Sequence, residues 1–151
     1  IRTAFIGIGS VGATQVRRKV FTMLRDLGFE LPVLTHPSSS LAFDVPVGIG
    51  TCIMPGVIVN PGARIGECAI INSGAIIEHD CDISDFAHVS PGAVLGGSVS
   101  VGEGAHVGIG AVIRQGIRIG HNALIGAGAV VVKDVADGST VIGVPAKVLQ
   151  A

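Results

Sequence analysis

Every sixth residue from Leu41 to Val131 is aliphatic. The series runs Leu41, Val47, Ile53, Val59, Ile65, Ile71, Ile77, Ile83, Val89, Leu95, Val101, Val107, Ile113, Ile119, Ile125 and Val131. A fixed short period of this kind marks a chain that stacks one small unit upon itself. Two residues before each of these positions runs a companion series. From Val45 to Ala129 it holds only Ala, Val, Thr, Cys or Ile, and is mostly Ala. Two inward positions separated by one outward residue describe a short β-strand, so the rest of each six must turn a corner.

Three such faces close a triangular coil of 18 residues, and successive coils stack as parallel strands about 4.8 Å apart. The longer period is visible at the corners. Gly56, Gly74, Gly92, Gly110 and Gly128 form one unbroken edge, as expected where a corner needs positive φ. A second edge runs Gly62, Asp80, Ser98, Gly116, Asp134, and a third Gly50, Cys68, Phe86, Gly104, Asn122. Asp and Asn tolerate the left-handed region, which leaves Cys68 and Phe86 as exceptions. Composition agrees with a narrow prism: the chain has 23 Gly, five Phe and neither Trp nor Tyr. The expected class is mainly β, with a parallel β-helix over residues 37–135.

Residues 1–36 break the period. They read as strand, helix, strand, with Val16, Val20, Leu24 and Leu27 as a helical stripe. This is too small to hold its own core and resembles a partial Rossmann-like segment of a longer, truncated chain. Gly7-Ile8-Gly9-Ser10 follows the first strand; Gly9 could approach a nucleotide phosphate, or the stretch could be a plain turn. Residues 136–151 read as a cap on the last coil, where Lys133 or Lys147 could meet a cofactor phosphate or remain solvated.

A net charge of −1 offers no surface for tracking nucleic acid. Gly, Pro or a charge interrupts every window of 18 residues, so no membrane span is expected. Cys52, Cys68 and Cys81 sit at no metal-ligand spacing. They read as reduced thiols of a cytoplasmic protein, and no metal is expected.

The histidines carry the candidate chemistry. His36 and His121 read as structural. His88 and His106 differ by 18 and should stack in adjacent coils just before the glycine edge. His79 stands at a different edge between Glu78 and Asp80. A carboxylate beside an imidazole can hold it in one tautomer, as a general base requires. Gly97, at His79 plus 18, puts bare backbone one coil away, where its N–H could meet an oxyanion. Ile109 and Ala127, also 18 apart, flank the glycine edge.

Asn72-Ser73-Gly74, Ile77-Glu78-His79-Asp80-Cys81 and Phe86-Ala87-His88-Val89-Ser90 are similar in order and spacing to the active-site region of the hexapeptide-repeat sugar acetyltransferases of the NeuD/PglD group. The resemblance runs from about His36 to the C-terminus. It implies a left-handed β-helix assembled as a homotrimer, acetyl-CoA as co-substrate, and a nucleotide-linked aminosugar as acceptor. By the same resemblance His79 matches the general base and Asp80 the acidic residue supporting it. His88, Ile109 and Ala127 match acetyl-CoA contacts, and Asn72 a residue near the reacting amine. His79 and the glycine edge are expected roughly 15 Å apart, at ~3.3 Å per strand residue across one face. A base must sit within about 3 Å of its proton, so the site should be completed by a neighbouring subunit. The rival readings are a sugar O-acetyltransferase of the sialic acid type, a γ-type carbonic anhydrase using His79, His88 and His106 on zinc, and a non-catalytic β-helix scaffold.

Overall fold

The computed structural model describes residues 2–149. Its body is a three-sided β-solenoid of parallel strands. The 8-stranded sheet runs from Leu34–Thr35 through Cys52–Ile53, Ile70–Ile71, His88–Val89, His106–Val107, Leu124–Ile125 and Thr140–Ile142 to Lys147–Val148. A 6-stranded sheet holds Ser40–Leu41, Ile58–Val59, Ile76–Ile77, Val94–Leu95, Val112–Ile113 and Val130–Val131. The third, 4-stranded, holds Arg64–Ile65, Asp82–Ile83, Ser100–Val101 and Arg118–Ile119. Register follows the period of 18: Ile71 faces Val89 and Val89 faces Val107.

Both sequence series point inward. Ile71, Ile77, Val89, Leu95, Val101, Val107 and Ile125 are completely buried, as are Ala69, Ala75, Ala87, Ala93 and Ala105. Burying one such aliphatic side chain is worth roughly 1.5–3 kcal/mol, and the alanines leave room for its partner across a narrow interior. The glycine edge has φ between 62° at Gly110 and 71° at Gly56. The other two edges reach the left-handed region with Asp80, Ser98, Asn122, Cys68 and Phe86.

Asp134, expected to continue the second edge, departs from it. It is not among the positive-φ residues, because this coil is two residues short: Ile119 bridges Val135, and the Asp134 carboxylate accepts the Arg118 N–H at 2.9 Å. The shortened coil then resumes, with Gly138 at φ 66° and Thr140–Ile142 parallel to Leu124–Ile125. The solenoid thus continues past Asp137-Gly138, where the sequence pattern stops. Lys147–Val148 turns back antiparallel on Val141 and Ile142.

Ahead of the solenoid lies one helix, α1 (Gln15–Asp26). The expected strand–helix–strand is reduced to α1 and a single parallel bridge between Thr3 and Glu30. Leu34–Thr35 pairs with Cys52–Ile53 and so belongs to the solenoid. The buried side of α1 also differs from the aliphatic stripe: Val16 and Leu27 are exposed, while Arg17 and Phe21 are buried. The surface that receives α1 explains this. Phe21 packs edge-on against Phe86 with centroids 5.4 Å apart, Arg18 lies 4.4 Å over the same ring and pairs with Glu103, and the Arg17 guanidinium donates to the Cys68 carbonyl. Cys68 and Phe86, the two corners without ordinary turn chemistry, are the platform on which α1 docks. The three cysteines are free, and burial pushes each thiol pKa up, away from the reactive thiolate.

Candidate active site

His79 and Asp80 occupy the corner between the 6-stranded and 4-stranded sheets. His79 Nδ1 lies 2.8 Å from Asp80 Oδ2. An ionised carboxylate can only accept, so Nδ1 carries the proton and Nε2 keeps its lone pair, on the side of the ring that faces Gly97. The imidazole is about half exposed, with 54% of its side chain accessible. One coil on, Gly97 is buried beneath it. A Cβ at position 97 would come within 2.6 Å of His79 Cε1 and 3.0 Å of Cδ2, so only glycine leaves the ring where it is. The neighbouring backbone is tied down: Ser98 N–H donates to the His79 carbonyl at 2.8 Å, and Gly116 N–H to the Gly97 carbonyl at 2.9 Å.

The glycine edge lies between the 8-stranded and 6-stranded sheets. A Cβ on Gly74, Gly92, Gly110 or Gly128 would meet nothing within 4 Å, which leaves an open strip along the prism. Ile109, 61% exposed, and the exposed Ala127 stand beside it. Lys133 and Lys147 are both exposed and line one groove of about 340 Å³ at the C-terminal end.

His88 and His106 are neighbours in register, their rings perpendicular at 4.8 Å. They point out of the prism as expected, but the N-terminal segment reaches His88, and His106 is buried. His88 Nδ1 lies 2.8 Å from the Ser10 carbonyl, and its Nε2 lies 3.2 Å from Asn72 Nδ2. The Asn72 Oδ1 accepts the Ser73 N–H at 2.8 Å. His106 Nε2 lies 3.3 Å from Ser90 Oγ, and its Nδ1 is buried with no hydrogen-bond partner. Burial lowers the His88 pKa, and burial with His88 nearby takes that of His106 to about 4. Gly9, Asn72 and His88 line one cleft of about 290 Å³, walled by Phe5–Gly9 on one side and by Cys52, Met54 and Ile70 on the other.

The structure therefore joins His79, Asp80 and Gly97 at one corner, and Gly9, Asn72 and His88 in one cleft near the glycine edge. The two groups are not joined within one chain. The three imidazoles considered for zinc are likewise not brought together, and among the described residues no three His, Cys, Asp or Glu side chains could share a metal. His36 and His121 make turn contacts, with Ser38 Oγ at 2.8 Å and the Glu103 N–H at 3.1 Å. Sequence reasoning missed the Ser10 carbonyl, Ser90 and the buried Arg17. Only the 18-residue spacing of His88 and His106 hinted at a network there.

Residues 98–133 match the family of bacterial transferase hexapeptide (six repeats). Among curated proteins no match is found. Solved structures give the fuller comparison. A GDP-perosamine N-acetyltransferase from Caulobacter crescentus, solved as a histidine-to-alanine variant with CoA and GDP-perosamine, is 40% identical with a TM-score of 0.96; the match covers 100% of this chain and 70% of that one. The acetyltransferase domain of PglB from Neisseria gonorrhoeae FA1090, in complex with acetyl coenzyme A, is 40% identical with a TM-score of 0.89, covering 92% of this chain and 68% of that one. WeeI from Acinetobacter baumannii AYE is 29% identical with a TM-score of 0.87, covering 97% and 70% respectively. From repeats, fold and these relatives together, the chain belongs to the hexapeptide-repeat sugar acetyltransferases of the NeuD/PglD group.

Proposed function

We propose that this protein transfers the acetyl group of acetyl-CoA to the amine of a nucleotide-linked aminosugar, with His79 as general base. The observation that carries the reading is the His79 corner, where Asp80 holds Nδ1–H and a buried glycine supports the ring. Nε2 takes a proton from the amine as the nitrogen lone pair attacks the thioester carbonyl. The Gly97 N–H donates to the oxyanion of the tetrahedral adduct. When that adduct collapses the C–S bond breaks, and the imidazolium returns its proton to the departing CoA sulfur. The Caulobacter and Neisseria relatives, bound to CoA with GDP-perosamine and to acetyl coenzyme A, support the substrate assignment.

Ile109 and Ala127 are assigned to acetyl-CoA along the open glycine strip, His88 to acetyl-CoA from the adjoining cleft, and Asn72 and Gly9 to the acceptor. The residues ahead of Leu34 are read as the Rossmann-like, nucleotide-side segment, the coils from Leu34 to Ile142 as the acetyltransferase solenoid with the left hand of its family, and Lys147–Val148 as its cap. The working unit in this reading is a cytoplasmic homotrimer. Its support is the 6-stranded sheet, which separates the His79 corner from the glycine edge and whose outward residues after Ser40, namely Ile58, Ile76, Val94, Val112 and Val130, are all aliphatic. Ile58 and Val112 are 40% and 43% exposed. Three copies packed on this face would set the His79 corner of one beside the glycine edge of the next.

The test is to offer the purified protein acetyl-CoA with a panel of nucleotide-linked aminosugars and matched hydroxyl sugars, following thiol release and product mass. An alkali-stable N-acetyl product is expected. Acetylation of hydroxyl acceptors alone, or thiol release in none, would overturn the assignment.

A further inference from the structure

The cleft between the N-terminal segment and the solenoid contains a hydrogen-bond series whose directions can be assigned. A carbonyl oxygen only accepts, so at 2.8 Å from Ser10 O the His88 Nδ1 must carry a proton. With burial lowering its pKa, His88 is neutral near pH 7, and Nε2 is then an acceptor. Across 3.2 Å from it stands Asn72, whose Oδ1 already accepts the Ser73 N–H at 2.8 Å. Both contacts fix the amide the same way round, with its NH₂ toward His88. An asparagine has two N–H donors; one goes to His88 and the other remains for the cleft that Asn72 lines.

We propose that His88 is a positioning residue. Held as the Nδ1–H tautomer by the Ser10 carbonyl, it orients Asn72 so that the cleft presents a fixed hydrogen-bond donor, which selects an oxygen acceptor on the ligand and disfavours an ammonium ion. The groups facing His88 agree with a neutral ring. His106 packs edge-on at 4.8 Å from the next strand, the buried Arg17 cation of α1 lowers the His88 pKa further, and Cys52, Ile70 and Asn72 complete the wall. A protonated His88 would put N–H against N–H at Asn72 and lose that bond. The inference rests on the acetyl-transfer reading for its consequence, because an amine must bind uncharged to attack a thioester. The tautomer itself does not depend on that reading.

The decisive experiment is nitrogen NMR on the full chain with labelled histidine, at pH 6 to 8, for the wild type and for Asn72→Asp. The wild type is expected to show His88 protonated on Nδ1 only, the less common tautomer of free histidine. In Asn72→Asp the carboxylate should draw a second proton onto Nε2, making His88 doubly protonated at neutral pH, with kcat/KM for the aminosugar down about 10²-fold. His88→Gln, whose amide can donate to Ser10 and accept from Asn72, should retain at least 10-fold more activity than His88→Leu. An Nε2–H tautomer in the wild type, a His88 signal unmoved by Asn72→Asp in a folded protein, or equal activity of the Gln and Leu variants would overturn the proposal. Absence of aminosugar turnover with the predicted NMR pattern intact would instead count against the acetyl-transfer reading alone.

Discussion

Replacing Gly97 by alanine separates the positioning of the base from the stability of the fold. The residue is buried but not at positive φ, so the backbone accepts a side chain there. The obstacle is the imidazole. A Cβ at position 97 would stand 2.6 Å from His79 Cε1, whereas carbon atoms rest at about 3.5–4.0 Å, so the ring must retreat by roughly 1 Å. Being half exposed, it can swing toward solvent, and the cost to folding should stay near 1 kcal/mol or below. Catalysis should suffer more. A misplacement of about 1 Å costs on the order of 10²-fold, or about 2.7 kcal/mol of transition-state stabilisation at 1.36 kcal/mol per tenfold. The substitution keeps the backbone N–H at position 97, so the proposed oxyanion donor is not deleted. Steady-state acetyl transfer read by thiol release, beside a thermal melt, gives both quantities. Gly97→Ala should melt within a few degrees of wild type and lose about 10²-fold in kcat/KM. Activity within threefold of wild type in a folded protein would refute the link between Gly97 and His79, as would loss of activity through unfolding alone.

Phe86→Ala removes the ring that receives Phe21 and Arg18 while leaving positive φ in place; it should cost about 3 kcal/mol and make α1 the first site of limited proteolysis, with the solenoid intact. On the aliphatic face, Val112→Asp should reduce the proposed homotrimer to monomers in sedimentation velocity and abolish transfer, since in that reading each site would lose its partner's half. Stability should also depend on His106. Its folded pKa of about 4 lies below the 6.5 of free histidine, so the unfolded chain binds more protons between these values, and stability falls as pH drops from 6.5 toward 4. His106→Leu should flatten that slope in denaturant titrations, by up to about 3 kcal/mol across the window.

The solenoid was legible because each coil imposes the same demand on the same two inward positions, and nothing outside the coil relaxes it. Asp134 apart, the corners were equally legible where Gly, Asp, Asn or Ser answers the need for positive φ. Cys68 and Phe86 violated that rule, and the violation marked something real, the docking surface of α1. What docks there could not be read in advance, because residues 1–33 share no period with the solenoid. The aliphatic stripe of α1 misled for the same reason: its partner surface is an aromatic ring and a carbonyl, which suit Phe21 and Arg17 better than Val16 and Leu27. At the site, the contact of His79 with Asp80 and the nearness of Gly97 followed from adjacency and the 18-residue repeat. The series from Ser10 through His88 to Asn72 did not, since its anchor, the Ser10 carbonyl, is a main-chain atom of a segment outside the repeat.

The most direct test of the proposed chemistry is the acetyl-transfer rate of His79→Ala, measured beside its acetyl-CoA affinity and its state of assembly. Loss of at least 10³-fold in kcat, with unchanged acetyl-CoA binding and the same oligomer as wild type, is the expected result. Turnover within tenfold of wild type would contradict the assignment of His79 as the base.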